Sequence, residues 1–213
     1  RVALPPGYSI SWSGQYEYME RARQHLAMVV PVTIITIMLL LFLIFRNFVE
    51  VLIILGTLPM ALVGGLWLLY LLDYNLSVAV GVGFIALAGV AVEIGVVMLV
   101  YLKQALNNRQ SEALEANRVM RREDIERAVH EGALLRVRPI MMTVATIIIG
   151  LLPIMIGGGT GSEIMRRIAA PMVGGMVSAT ILTLAVIPAI FFVWQRHRID
   201  GNNRAGQADV ESE

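Results

Sequence analysis

Residues 75–102, NLSVAVGVGFIALAGVAVEIGVVMLVYL, carry a single charged side chain, Glu93. A helix rises about 1.5 Å per residue, so about 20 apolar residues cross the hydrocarbon core of a bilayer. This stretch is long enough to span, and it holds a carboxylate near its middle. Four more blocks read the same way. Residues 28–45, 51–72, 140–157 and 168–194 contain no Asp, Glu, Lys or Arg. The chain is 57% hydrophobic over 213 residues, with a mean hydropathy of +0.70. The expected fold class is therefore an all-α membrane protein with five transmembrane helices, over residues 18–198.

The rest of the chain is polar. The N-terminal YSISWSGQYE, after the turn signal PPG, alternates as a β-strand does. One strand cannot fold alone, so residues 1–17 are expected to complete a sheet made elsewhere. The segment has no apolar core of a signal peptide and no initiating Met, and it reads as the interior of a longer polypeptide. Residues 103–139 contain SEALEANRVMRREDIERAVHEGALLRVRP. Ala113, Ala116, Val119, Met120, Ile125, Ala128 and Val129 suggest one amphipathic helix near 109–132, lying at the membrane surface. Residues 199–213 read as a disordered polar tail.

Net charge is +1, and its distribution orients the chain. Arg1, Arg21, Arg23, Arg166 and Arg167 fall on one side of the five spans, and the other twelve basic residues on the other. The basic-rich side is expected to be cytoplasmic. The N-terminal segment then faces outward and the C-terminus lies in the cytoplasm.

Glu93 is the first candidate for chemistry. Gly89 and Ala86 lie four and seven residues before it, and Val96, Val97 and Val100 continue that side of the helix. Small residues let another helix approach, so this face is expected against neighbouring helices. An ionised carboxylate in a bilayer costs several kcal/mol, so Glu93 must be paired or protonated there. A group in that position is suited to carrying a proton; the bland reading is a structural hydrogen bond. Methionine is the second candidate, with twelve in the chain. Thioether sulfur is a soft ligand that suits Cu(I) and Ag(I). Met38, Met60 and Met155 read as packing, and Met141 and Met142 cannot share a face. Met165, Met172 and Met176 share a stripe at helical spacing, although such stripes are more often core.

The segment GGGTGSEIM, 157–165, lacks the lysine of a phosphate-binding loop. Thr160 and Glu163 instead have capping-box spacing, which puts Met165 in the first turn of the last span. Arg166 and Arg167 read as interfacial anchors. His25, His130 and His197 stand apart from one another in sequence, and no cysteine is present, so no thiolate metal site and no disulfide framework exist in the chain. With no nucleophile–base pair and no nucleotide motif, no enzyme is expected.

Four stretches together resemble the C-terminal part of heavy-metal efflux permeases of the resistance-nodulation-division superfamily, nearest the copper/silver branch. They are LPPGYSISWSGQYEYMERA (4–22), the quoted 75–102 span, LRVRPIMMTVATIIIGLLPIM (135–155) and GTGSEIMRRIAAPMVGGM (159–176). The resemblance implies twelve transmembrane helices, of which this chain supplies the last five, after the last strand of a periplasmic porter domain. It implies a homotrimer in the bacterial inner membrane, working with a periplasmic membrane-fusion adaptor and an outer-membrane channel. It implies proton-driven export of Cu(I)/Ag(I) as transported metal, with no permanently bound cofactor and no nucleic-acid partner. By it, Glu93 matches an acid of the proton relay and Met165 a metal stepping site. One position departs: the copper/silver pumps usually carry a relay lysine after VRP, and this sequence has Ile140. That departure keeps a zinc/cobalt/cadmium exporter open. Two more readings stay open beside it: a truncated remnant acting only as a membrane module, and an exporter of organic compounds.

Overall fold

The computed structural model describes the backbone of residues 14–116, 118, 120–159 and 161–211. These contain five helices: α1 (Gln15–Phe45), α2 (Phe48–Leu71), α3 (Val78–Glu115), α4 (Arg122–Ile156) and α5 (Ser162–Glu211). Each is long and apolar enough to cross a membrane. No strand occurs among the described residues. The strand expected within 1–17 falls mainly on residues 1–13, outside the described part, and residues 15–17 already belong to α1.

Residues 1–48 and 49–213 form separate compact units. In the first, α1 opens with an ion pair one turn apart, Glu17 with Arg21. Thr33 and Thr36 donate their hydroxyls to the Val29 and Val32 carbonyls, 2.8 Å away in each case. A hydroxyl can thus sit in an apolar helix without needing solvent. The helix stops at Arg46, which takes a left-handed φ of 53° while its N–H donates to Phe42 O at 2.8 Å.

In the second unit α3 packs on α4 and α5 and is joined to α2 by a tight turn. Asp73 takes φ 55°, which Asp tolerates better than most residues. Tyr74 N–H then donates to Leu69 O at 3.0 Å, and Ser77 Oγ caps α3 by accepting from Val80 N–H at 3.4 Å. Small residues set the close contacts, as hydrocarbon gives apolar helices little other reason to associate. Ala61 of α2, Ala91 of α3 and Ala179 of α5 form one buried cluster. Gly64 and Gly174 bring α2 and α5 into backbone contact: a Cβ on Gly174 would stand 2.5 Å from Gly64 O. Ser178 adds a hydrogen bond across the same seam, its hydroxyl 3.1 Å from Ala61 O.

The 103–139 region differs from expectation. It is not one surface helix near 109–132. Instead α3 continues to Glu115, the chain turns, and α4 starts at Arg122. Of the apolar residues read as amphipathic, Ala113, Ile125 and Ala128 are buried between two antiparallel extensions, as is Ala105 nearby. Gly132 permits the approach, since a Cβ there would lie 3.1 Å from Leu102 Cα. Two salt bridges join this region, Arg109–Glu131 at 2.9 Å and Arg118–Asp124 at 2.6 Å. The polar 199–213 segment, expected to lack structure, is helical in α5 as far as Glu211. Extending a helix costs far less than starting one.

Candidate functional site

Successive residues of a helix turn by about 100°, and α3 uses this to divide its surface. Val80, Gly83, Leu87, Ala91, Ile94 and Met98 are buried on one side. Val82, Ile85, Gly89, Glu93 and Val100 are exposed on the other. Glu93 is thus the polar member of an otherwise apolar, open stripe. The expected packing of its face against other helices does not occur among the described residues. A Cβ placed on Gly89 would meet no atom within 4 Å, and Ala86, Val96 and Val97 are only half-buried. No other helix of the 49–213 unit fills this small-residue face. Ile140 faces a different environment, being buried on α4 while Glu93 is exposed.

Met165 sits in the first turn of α5, as its spacing requires, with 57% of its surface exposed. Thr160, the expected cap, lies outside the described residues. The methionine stripe divides along its length. Met172 is half-buried, and Met176 is fully buried in the core. Met155 packs against the cluster of Leu69, Val80 and Ala170, so the packing assignment holds for it. Among the described residues no group of three or more His, Cys, Asp or Glu is placed to hold a metal ion. Thioether is the remaining soft donor.

Two arrangements escape sequence reasoning. Glu50, in the first turn of α2, is 1% exposed and accepts a hydrogen bond from Lys103 Nζ at 2.8 Å. In sequence it is only an acid at the edge of an apolar block. Arg166 and Arg167, read as anchors, have definite partners. Arg166 Nε donates to Gly157 O at 3.0 Å, and the Arg167 guanidinium lies 5.9 Å from the centre of the Tyr74 ring. In the charged link, Asp124 is held near pKa 2, below its ordinary 3.8, first by the hydrogen bond from Arg118 and then by the Arg121 N–H.

Residues 1–195 match the AcrB/AcrD/AcrF family. The cation efflux system protein CusA of Escherichia coli O157:H7 is 52% identical over 201 residues, covering 93% of this chain and 19% of that protein. The cobalt-zinc-cadmium resistance protein CzcA of Cupriavidus metallidurans is 35% identical over 203 residues, covering 95% and 18%. A crystal structure of a heavy metal efflux pump superposes with a TM-score of 0.72 at 34% identity, over 92% of this chain and 18% of that one. The chain therefore spans about a fifth of the length of the curated relatives it matches.

Proposed function

This chain belongs to the AcrB/AcrD/AcrF family, and from that premise we propose that it is a segment of a proton-driven exporter of Cu(I) and Ag(I). In this reading residues 1–17 close the periplasmic porter domain. The five helices lie in the bacterial inner membrane with the C-terminus cytoplasmic. The assembled pump is a homotrimer joined to an adaptor and an outer-membrane channel.

The observation that carries the reading is the stripe on α3. Glu93 lies about 23 Å along the helix from its start at Val78, near the middle of the apolar block. It is exposed between apolar neighbours, and no other helix of the 49–213 unit lies against the adjoining Gly89. A carboxylate at that depth must meet another polar group or a proton. Glu93 takes a proton from the outer side and releases it inward, and the change of charge alters how the stripe packs. The greater identity to CusA than to CzcA supports the copper/silver branch. Met165 supports it too, as an exposed soft donor at the mouth of α5. Ile140 in place of the relay lysine, together with the 35% identity to CzcA, keeps a second reading open, a zinc/cobalt/cadmium exporter.

The test is Glu93→Gln in the full-length pump, with growth measured against silver and zinc and membrane insertion checked in parallel. Silver resistance is expected to disappear with the protein still inserted. Normal silver resistance in that variant would end the relay assignment, and wild-type protection against zinc alone would move the cargo to the second reading.

A further inference from the structure

We propose that Arg166 is a positioning residue that holds Met165 at its place on the outer end of α5. The inference rests on Met165 as a metal step. The link between α4 and α5 cannot fix that place by itself. Four of its five residues, 157, 158, 159 and 161, are glycine. Gly159 and Gly161 take φ of 139° and 89°, conformations that other residues rarely adopt. A Cβ at Gly158, Gly159 or Gly161 would touch nothing within 4 Å. This part of the link therefore offers no packing to locate the helix that follows.

Arg166 makes up for that. Its Nε donates to Gly157 O at 3.0 Å, and a terminal nitrogen donates to Ile156 O at 3.4 Å and again to Gly157 O. These carbonyls close the C-terminus of α4, where helical acceptors lack an intrahelical partner and the dipole favours a cation. The guanidinium fork bridges the two helix ends directly. Arg167 stacks over Tyr74, on the turn after α2, whose ring packs on Leu69, Val80 and Ala170. Three consecutive residues, each turned about 100° from the last, thus divide the work. Arg166 reaches α4, Arg167 reaches the α2–α3 turn, and Met165 is left facing outward. Both positive charges are engaged by carbonyls or a ring face. One thioether holds Cu(I) or Ag(I) only in company with further soft donors. Misplacement by about an ångström can cost a factor of about 100 where geometry is demanding.

The experiment compares Arg166→Gln, Arg166→Lys and Met165→Ile in the full-length pump, at matched membrane levels. Silver tolerance is read in cells. Spin labels at the exposed positions 152 and 164 report the distance between the helix ends by pulsed EPR. Arg166→Gln is expected to lower silver tolerance at least about fourfold and to broaden the distance distribution. Arg166→Lys, which keeps one donor and the charge, is expected to fall between it and wild type. Should Arg166→Gln fail to reach the membrane, the Lys variant carries the test, with intermediate tolerance and intermediate width required. An unchanged distribution, or unchanged silver tolerance while Met165→Ile loses it, overturns the positioning role. If Met165→Ile itself keeps full silver tolerance, the metal step falls and the positioning role with it.

Discussion

Replacing Lys103 by Met removes the ammonium from a carboxylate that is 1% exposed. Breaking a buried pair on one side costs about 3–5 kcal/mol in general. Two features of this site reduce that figure. The lysine is 30% exposed, so water reaches its end of the pair. Glu50 also lies in the first turn of α2, where the helix dipole favours an anion by up to about 1 kcal/mol. The expected loss is about 2–3 kcal/mol. The double variant Glu50→Gln/Lys103→Met removes both charges and keeps the volumes, so it should lie within about 1 kcal/mol of wild type. A double-mutant cycle then gives a coupling of about 2 kcal/mol, well above the error expected for independent sites. The assay is reversible unfolding of the full chain in mixed micelles, titrated with SDS and followed by circular dichroism. A Lys103→Met protein as stable as wild type would refute the reasoning, and so would a double variant no better than the single one.

Two further outcomes follow from the packing and the charged link. Gly174→Val drives a side chain into the Gly64 carbonyl and should cost about 1–3 kcal/mol or more in thermal stability in detergent. Gly158→Ala, in open space, should stay within about 0.5 kcal/mol, and equal losses at both sites would contradict the seam. Asp124 has a folded pKa of about 2 against an ordinary 3.8, so its contribution is present above about pH 4 and disappears as pH falls toward 2. The difference in melting temperature between wild type and Asp124→Asn should be full at pH 6 and close to zero at pH 2; a difference that grows on acidification would reverse the sign.

The apolar blocks alone locate the ends of α1 and α2, because hydropathy stops at residues 45 and 72, within one residue of the helix ends at Phe45 and Leu71. The two ends separate at Lys103. Hydropathy stops at that residue, but the helix runs on to Glu115 because nothing in the segment breaks it. The single surface helix read into 109–132 comes from treating the end of an apolar block as the end of a helix. Glu93 is visible in the sequence as an anomaly of position. Its surroundings are not, because a Gly/Ala spacing shows that a helix can approach without showing which one does. Glu50 and Arg166 are illegible for a related reason. Each is ordinary beside its sequence neighbours and gains meaning from partners distant in sequence, such as Lys103 and the α4 carbonyls, 53 and 9 residues away.

The open stripe on α3 also bears on how the protein is made. A charged residue at mid-helix costs about 3 kcal/mol at insertion, and about fourteen Val, Ile, Leu and Phe residues in 78–102 offset it at about 0.3–0.6 kcal/mol each. The helix therefore enters the bilayer despite Glu93. Once inserted, the same acid penalises every arrangement that leaves the stripe against lipid. An arrangement that gives Glu93 a polar partner is favoured over one that does not. A residue suited to moving protons would thus also serve as a checkpoint for biogenesis.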